Sequence, residues 1–565
     1  MHRTPPQAAS DEIDVYVRTY TSLLRSSGDV PVRAFEEAHS YSNSSLHAGA
    51  RDARPDVAAF AYSAARLPEC MPVVTHIVMG QSHEQFEAVG MNVSEWARVA
   101  TRGRRRPLRW DGKGTLAAFV TSTSDIDDLV PILTAYQIEW NKMHDMLEPS
   151  EVSKDVASVE KLASVFDVDE TSVLTLTAAL GTSWVKGLTE IAKRTSDLSV
   201  RLLNGSFAKY QRAALRWWSG IEPVYMRKAH PRSPPVYFVS SNTHSLANIL
   251  GGYAFAHRNE ILEFAQKRNP EGLDEPLRRA LSEGDEHSAA NLAYYLLRAF
   301  LHDPEGNPEQ RLASVQRFDA ESGLRSIESP GRVDVGAQLI ELGKVNQDRL
   351  DPRVRVDGIE RLAESDAIIV NIDYPLGMAA YHHLSRTAQG VGEIQGIYIM
   401  GKGATLNGRV GDVMIASTVY DEHSQNTYMF RNSFAASDVQ PYLRYGTVLD
   451  NQKALTVRGT FLQNRDYVGA FYRDGYSVLE MEAGPYLSAI HEIVNPVRHP
   501  ENEIVHLSNS TTFDTGFLHY ASDTPYSRRQ SLLSKSLSYF GVESTYACSI
   551  AIVRRIFENE IARLG

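Results

Sequence analysis

The sequence is poor in cysteine, has no long apolar run and carries no basic excess, and each shortage removes a class of function. Only Cys70 and Cys548 occur in 565 residues, so neither a disulfide framework nor a cysteine-based zinc site is expected, and the usage suits a reducing cytoplasm. No apolar run approaches the roughly 20 residues that span a bilayer, and no basic-then-apolar leader opens the chain. Neither secretion nor membrane attachment is therefore expected. A net charge of −11 argues against nucleic acid as a partner, since binding a polyanion needs a basic surface. The local exception, Arg102 to Arg106 followed by Arg109, reads as a solvated loop. No Gly-x-Ser-x-Gly nucleophile elbow is present, and Asp111-Gly-Lys-Gly-Thr115 lacks the phosphate-loop spacing and reads as a turn.

What is present is the composition of a globular protein, 43% hydrophobic and 22% charged, long enough for several domains. After a tail of about 12 residues, Asp14 to Leu24 has helical spacing. Val73 to Met79 and Thr115 to Val120 read as strands, and Thr121 to Asp125 caps a helix over Ile126 to Met146. Residues 1–150 are thus expected to be an α/β region, and 151–230 a helical one ending near His230-Pro-Arg-Ser-Pro-Pro235. Trp217 and Trp218 are expected in a core or interface.

Residues 231–565 form the third unit. Val236 to Val239 reads as a buried strand and Ser240 to His244 as a polar turn before a helix, an arrangement that either cradles an anion or merely caps the helix. A charged helical insertion is expected at about 270–350. From Ala367 the alternation of strands and helices is regular. Ile397 to Met400 reads as a strand broken by Gly401-Lys-Gly-Ala-Thr405, and Gly411 to Ile415, Ala454 to Phe461, Tyr476 to Leu479 and Gly516 to Tyr520 as further strands. His382-His383, Asp421-Glu422-His423 and Met143-His-Asp145 lack the spacing of a metal motif and are assigned to core or surface.

Glu480-Met481-Glu482 ends a strand, where ligands collect in open α/β sheets. A carboxylate there can accept two ribose hydroxyls while methionine covers the sugar face, although the triplet also reads as a solvated helix start. In chain order, Gly401 to Ala404, Gly411-Asp412-Val413, Glu480-Met481-Glu482 and Ser522-Asp523 together resemble the purine nucleoside and uridine phosphorylase superfamily, which includes the methylthioadenosine and adenosylhomocysteine nucleosidases. The resemblance covers about residues 366–563, and reaches back to 236 if the Ser240 to His244 turn stands in for the first phosphate loop. It implies an α/β/α layered domain with a mixed sheet and cleavage of the N-glycosidic bond of a nucleoside or nucleotide. Met481 and Glu482, beside Glu480, would bind ribose. Asp523, next to Ser522, would protonate the leaving base, a residue that otherwise reads as a helix cap ahead of Pro525. Tyr467 would face the base, and Gly401, Lys402 and Gly403, with Ser241 and His244, would approach the nucleophile or a phosphate.

The resemblance also implies a homo-oligomer and calls for no metal or organic cofactor. The phosphorylases of this group place an arginine before the glycine loop and a serine or threonine within it; here those positions are Ile399 and Lys402. Lysine replaces bidentate phosphate recognition only as a point charge, which favours water as the nucleophile. Two alternatives stay open: a phosphorylase or glycosyl-transfer enzyme with a rebuilt site for inorganic phosphate, and a non-catalytic nucleoside sensor or scaffold.

Overall fold

A computed structural model describes residues 11–26, 28–103, 106–150, 156–203, 207–226, 233–269, 273, 276–278, 281, 285–508, 511–523 and 539–565. The tail at 1–10, Arg104, Arg105, the Pro-rich boundary at 230–232 and the side chain of Asp523 lie outside the described residues.

Two sheets organise the chain. The first comprises β1 (Val30–Pro31), β2 (His76–Gly80), β3 (Ala97–Val99), β4 (Leu108–Trp110), β5 (Thr115–Phe119) and β6 (Ser199–Leu202), in the order β1-β6-β2-β5-β4-β3. Strand β2 is parallel to β5 and β6, and the β3 to β5 end is antiparallel. The Asp111 turn joins β4 to β5, its carboxylate accepting from the backbone N–H of Lys113 (2.8 Å) and Thr115 (3.0 Å). Behind the sheet lies the helix Thr123–Leu147, begun where the Asp125 carboxylate accepts from the backbone N–H groups of Thr121 (2.7 Å) and Ser122 (3.3 Å). Its Leu129, Leu133, Tyr136, Trp140 and Met143 fill the first core.

The second sheet has eleven strands: β7 (Val236–Ser241), β8 (Leu324–Ile327), β9 (Ala337–Glu341), β10 (Ile368–Asp373), β11 (Ile394–Thr405), β12 (Val413–Asp421), β13 (Thr427–Met429), β14 (Val448–Thr456), β15 (Tyr476–Glu480), β16 (Ile504–His506) and β17 (Asp514–Asp523). Five of them close on themselves. Strand β11 pairs with β15, β15 with β14, β14 with β12, β12 with β17, and β17 with β11 again. Such closure removes exposed edges. From β11 an arm runs outward through β7, β10, β9 and β8.

The central strands read as continuous apolar runs because both faces are covered. Val236, Phe238, Ile368, Val370, Ile397 and Ile399 face one core, with Trp217, Trp218, Tyr486 and Ile490 from helices. Tyr237, Val239, Ile369, Tyr398 and Met400 face the other, with Ile249, Leu292, Ile550 and Val553. The period of two along each strand thus sorts side chains between two helical layers, and the architecture is mixed α/β.

Four local expectations are corrected. The stretch 151–230 is not helical throughout: β6 lies within it and is a central strand of the first sheet, whereas the helix Phe207–Met226 sends Trp217 and Trp218 into the second core. The insertion at 270–350 is helical only in part, since β8 and β9 extend the second sheet. Gly401 to Thr405 does not break β11 but continues it, because β17 and β15 supply partners on both sides. Arg106 is not solvated: it is 6% exposed and pairs with Asp125 and Asp128.

Candidate active site

The C-terminal half of β11 is where the sequence-predicted residues meet. Ala404 is paired with Leu479 of β15 on one side and Asp523 of β17 on the other. Glu480 and the Ser522-Asp523 pair therefore end their strands within a residue or two of the same point. Gly403, opposite Ala521, is packed so closely that a Cβ would lie 3.2 Å from Val478 and 3.4 Å from the Leu479 carbonyl. Strand β7 brings in Ser241 from the far side of β11, its neighbour Ser240 pairing with Ile399. Lys402 is exposed and Gly401 half-buried at the rim.

The two glutamates differ. Glu480 is buried, and its carboxylate accepts from Thr456 Oγ1 and from the backbone N–H of Glu482 (2.7 Å) and Ala483 (2.6 Å). It thereby satisfies orphan donors at the start of the helix Ala483–Val494. Burial raises its pKa, and those hydrogen bonds work against the rise. Glu482 is half-buried and accepts through Oε1 from the N–H of Gly377 (3.3 Å) in the turn after β10. Met481 is 7% exposed, in an apolar cluster with Leu406, Leu455, Phe471 and Leu479, against which Tyr467, Ala404 and Leu376 pack. Tyr467 thus joins Met481 from the helix Arg465–Arg473, its phenol pKa pushed up by burial and by Tyr420.

The Ser240 to His244 turn is largely engaged with itself. Ser241 Oγ donates to Asn371 Oδ1 (2.8 Å) and accepts from Thr243 N–H (3.0 Å), Asn242 Oδ1 accepts from Ser245 N–H (2.9 Å), and His244 Nδ1 lies 2.9 Å from the Asn242 carbonyl.

Two contributors escaped sequence reasoning. His519, on β17 opposite Gly401, is buried with Nε2 3.9 Å from Glu480 Oε2, and burial lowers its pKa to about 4. Its only signal was membership of a predicted strand. Ser124, from the first unit, reaches the turn that holds Glu482: its Oγ accepts from Met378 N–H (2.9 Å) and lies 3.4 Å from His423 Nε2. His423 Nδ1 is in turn 2.9 Å from Asp421 Oδ1, and that carboxylate raises the histidine pKa against the effect of burial. Asp421-Glu422-His423 is therefore part of a buried hydrogen-bond network. Among the described residues no group of three or more His, Cys, Asp or Glu side chains is arranged to hold a metal ion, and no helix is long and apolar enough to cross a membrane.

Fold and geometry together define a mixed α/β protein with a polar and apolar clamp at the ends of adjoining strands. The chain belongs to a family of unknown function, DUF6909, whose model matches residues 32–558. No curated protein matches the sequence. Solved structures similar to part of the chain include the 5′-methylthioadenosine/S-adenosylhomocysteine nucleosidase of Neisseria meningitidis in complex with methylthio-immucillin-A, at 10% identity and a TM-score of 0.28 over 57% of this chain and 99% of that one. The S-adenosylhomocysteine nucleosidase of Streptococcus pyogenes in complex with 5-methylthiotubericidin is 10% identical, with a TM-score of 0.28 over 43% and 92% of the two chains. The 5′-methylthioadenosine/S-adenosylhomocysteine nucleosidase of Campylobacter jejuni is 10% identical, with a TM-score of 0.26 over 43% and 92%. Scores of this size leave the functional question to the chain's own residues.

Proposed function

We propose that the protein cleaves the N-glycosidic bond of a nucleoside or nucleotide, by hydrolysis rather than phosphorolysis. The observation that carries this is the double pairing of Ala404, by which the strand ends bearing Glu480-Met481-Glu482 and Ser522-Asp523 flank one residue of β11. Breaking the bond leaves an oxocarbenium-like ribose and a base gaining negative charge. Asp523 gives its proton to the departing base, and water adds to the anomeric carbon and loses a proton to solvent. General acid help of this kind is worth about 10² to 10⁴ in rate. Glu482 accepts ribose hydroxyls, Met481 covers the sugar face and Tyr467 lies to the base side, with Ser522 beside the acid. Glu480 supports the clamp from behind by capping the helix that follows it. Water is favoured over phosphate because Ser241 is spent on Asn371 and Thr243, and because Ile399 stands where a phosphate-binding arginine would.

The test is release of free base from a panel of nucleosides and nucleotides, followed chromatographically with and without phosphate, for the wild type and Asp523→Asn. Phosphate-independent release that falls at least about 100-fold in the variant is expected. Strict phosphate dependence would restore phosphorolysis, and no release from any member by the folded protein would remove the enzymatic proposal for that panel.

A further inference from the structure

We propose that the first unit is an obligatory part of the ribose site, with Ser124 as a positioning residue that acts on substrate through Glu482. The inference rests on the ribose-binding role proposed above for Glu482. Ser124 is fully buried in the first turn of the helix Thr123–Leu147, 254 residues before the backbone it grips. Its Oγ accepts from the N–H of Met378, and the preceding Ser122 Oγ donates to the Leu376 carbonyl (3.4 Å). Between these two contacts sits Gly377, whose N–H is the donor to Glu482 Oε1.

Gly377 has φ +53°, and a Cβ on it would lie 2.2 Å from Ser124 Oγ and 2.5 Å from Ser124 Cβ. The turn therefore carries no side chain here because the first unit fills that space. Ser124 is itself held, with His423 Nε2 at 3.4 Å and Asp421 fixing the other face of that imidazole. The chain of contacts runs Asp421, His423, Ser124, the Leu376 to Met378 turn, Glu482. Without Ser124 Oγ, the Met378 N–H loses its acceptor, the turn is released, and the Gly377 N–H no longer holds the Glu482 carboxylate in place. A carboxylate accepting a 2′-hydroxyl discriminates against substrates without one, because that hydrogen bond is lost and nothing in the closed site replaces it.

The experiment is a double-mutant cycle in the full chain. Ser124→Ala, Glu482→Gln and the double variant are assayed on whichever of adenosine, guanosine, inosine, uridine and cytidine the wild type cleaves fastest, and on its 2′-deoxy counterpart. Ser124→Ala is expected to lower kcat/KM for the ribonucleoside about tenfold, to reduce discrimination against the deoxynucleoside, and to add less than about twofold in the Glu482→Gln background. Should Ser124→Ala not fold, Ser124→Cys, of similar size but a weak acceptor, is read by the same cycle. Additive losses, or a Ser124 variant indistinguishable from wild type while Glu482→Gln is impaired, overturn the inference and leave the proposed function standing. Wild-type activity in Glu482→Gln, or no cleavage by the wild type, overturns the ribose assignment and the inference with it.

Discussion

At the scale of single residues, identical side chains take different work from their surroundings. Glu480 and Glu482 are two positions apart, yet one closes a helix start in the interior and the other faces the turn after β10. The sequence shows the triplet but not the division, since that depends on Thr456 and Gly377 arriving from other elements. Glu422 is a third case. Burial raises its pKa to about 7, although the Arg458 N–H donates to its Oε2 at 3.0 Å and the Arg458 guanidinium lies nearby. A carboxyl whose folded pKa exceeds its unfolded value binds its proton more tightly in the fold. Its stabilisation is complete below pH ~4.5 and is lost as pH rises through about 7. The shift corresponds to a change on the order of 3 kcal/mol. His423, raised as well, adds a loss in the same direction, while His382, His383 and His519, each lowered to about 4, lose stability as pH falls below their unfolded values. Only a difference between variants isolates Glu422. Unfolding free energies of wild type and Glu422→Gln from pH 5 to 8 should therefore diverge, the variant gaining relative to wild type as pH rises. Parallel profiles would mean that Glu422 is ionised throughout.

At the scale of elements, the parts that were legible are those whose own residues settle their state. The apolar runs of β7, β10 and β11 and the capped helix after Ser122 are set locally by pattern and cap. Strand β6 was missed because Ser-Val-Arg-Leu is four residues long among helices, and β9 because Ala-Gln-Leu-Ile-Glu suits either state. In both, the partner strand decides, which is how tertiary pairing overrides propensity. The glycines of β11 misled in the same way, reading as a loop until β15 and β17 claim their backbone. The helix Phe207–Met226 was legible as a helix but not as part of the second core. Its placement depends on a close backbone approach: a Cβ on Gly220 would lie 2.4 Å from Gly331 N, and a Cβ on Gly331, at φ +56°, would lie 2.0 Å from the Arg216 carbonyl oxygen. Gly220→Ala should therefore push the helix off the Pro330 turn and cost about 1–3 kcal/mol, despite the better helix propensity of alanine. Chemical denaturation measures this, and a neutral or stabilising result would show that the helix slides freely over the turn.

At the scale of the molecule, the strands that end at Glu480 and Asp523 could be assigned locally, but the bracing could not, because Ser124 and Glu482 share the Leu376 to Met378 turn only when the two sheets' units dock. The docking is not superficial. The turn after β14 carries Phe461 and Leu462 away from the second sheet and into the first core, where Phe461 is 1% exposed, its ring centroid 5.3 Å from that of Tyr62 and 5.9 Å from that of His39. The backbone just after these two residues is fastened to the first unit, by Ser45 N–H to the Gln463 carbonyl (2.7 Å) and Arg465 N–H to the Asn43 carbonyl (2.9 Å). Arg458 reaches Asp14 at 3.3 Å, a half-exposed pair that adds little by comparison. A core completed by a residue from the other unit cannot be kept intact once that unit unfolds, so the two should melt together. Phe461→Ala removes the shared ring at a cost of roughly 3–5 kcal/mol. Differential scanning calorimetry should then show one transition for the wild type and two for the variant, with the proposed base release lost at the lower one, since the first unit holds the turn behind Glu482. Two transitions in the wild type, or a single one merely shifted down in Phe461→Ala, would mean that the units are coupled by something other than this ring.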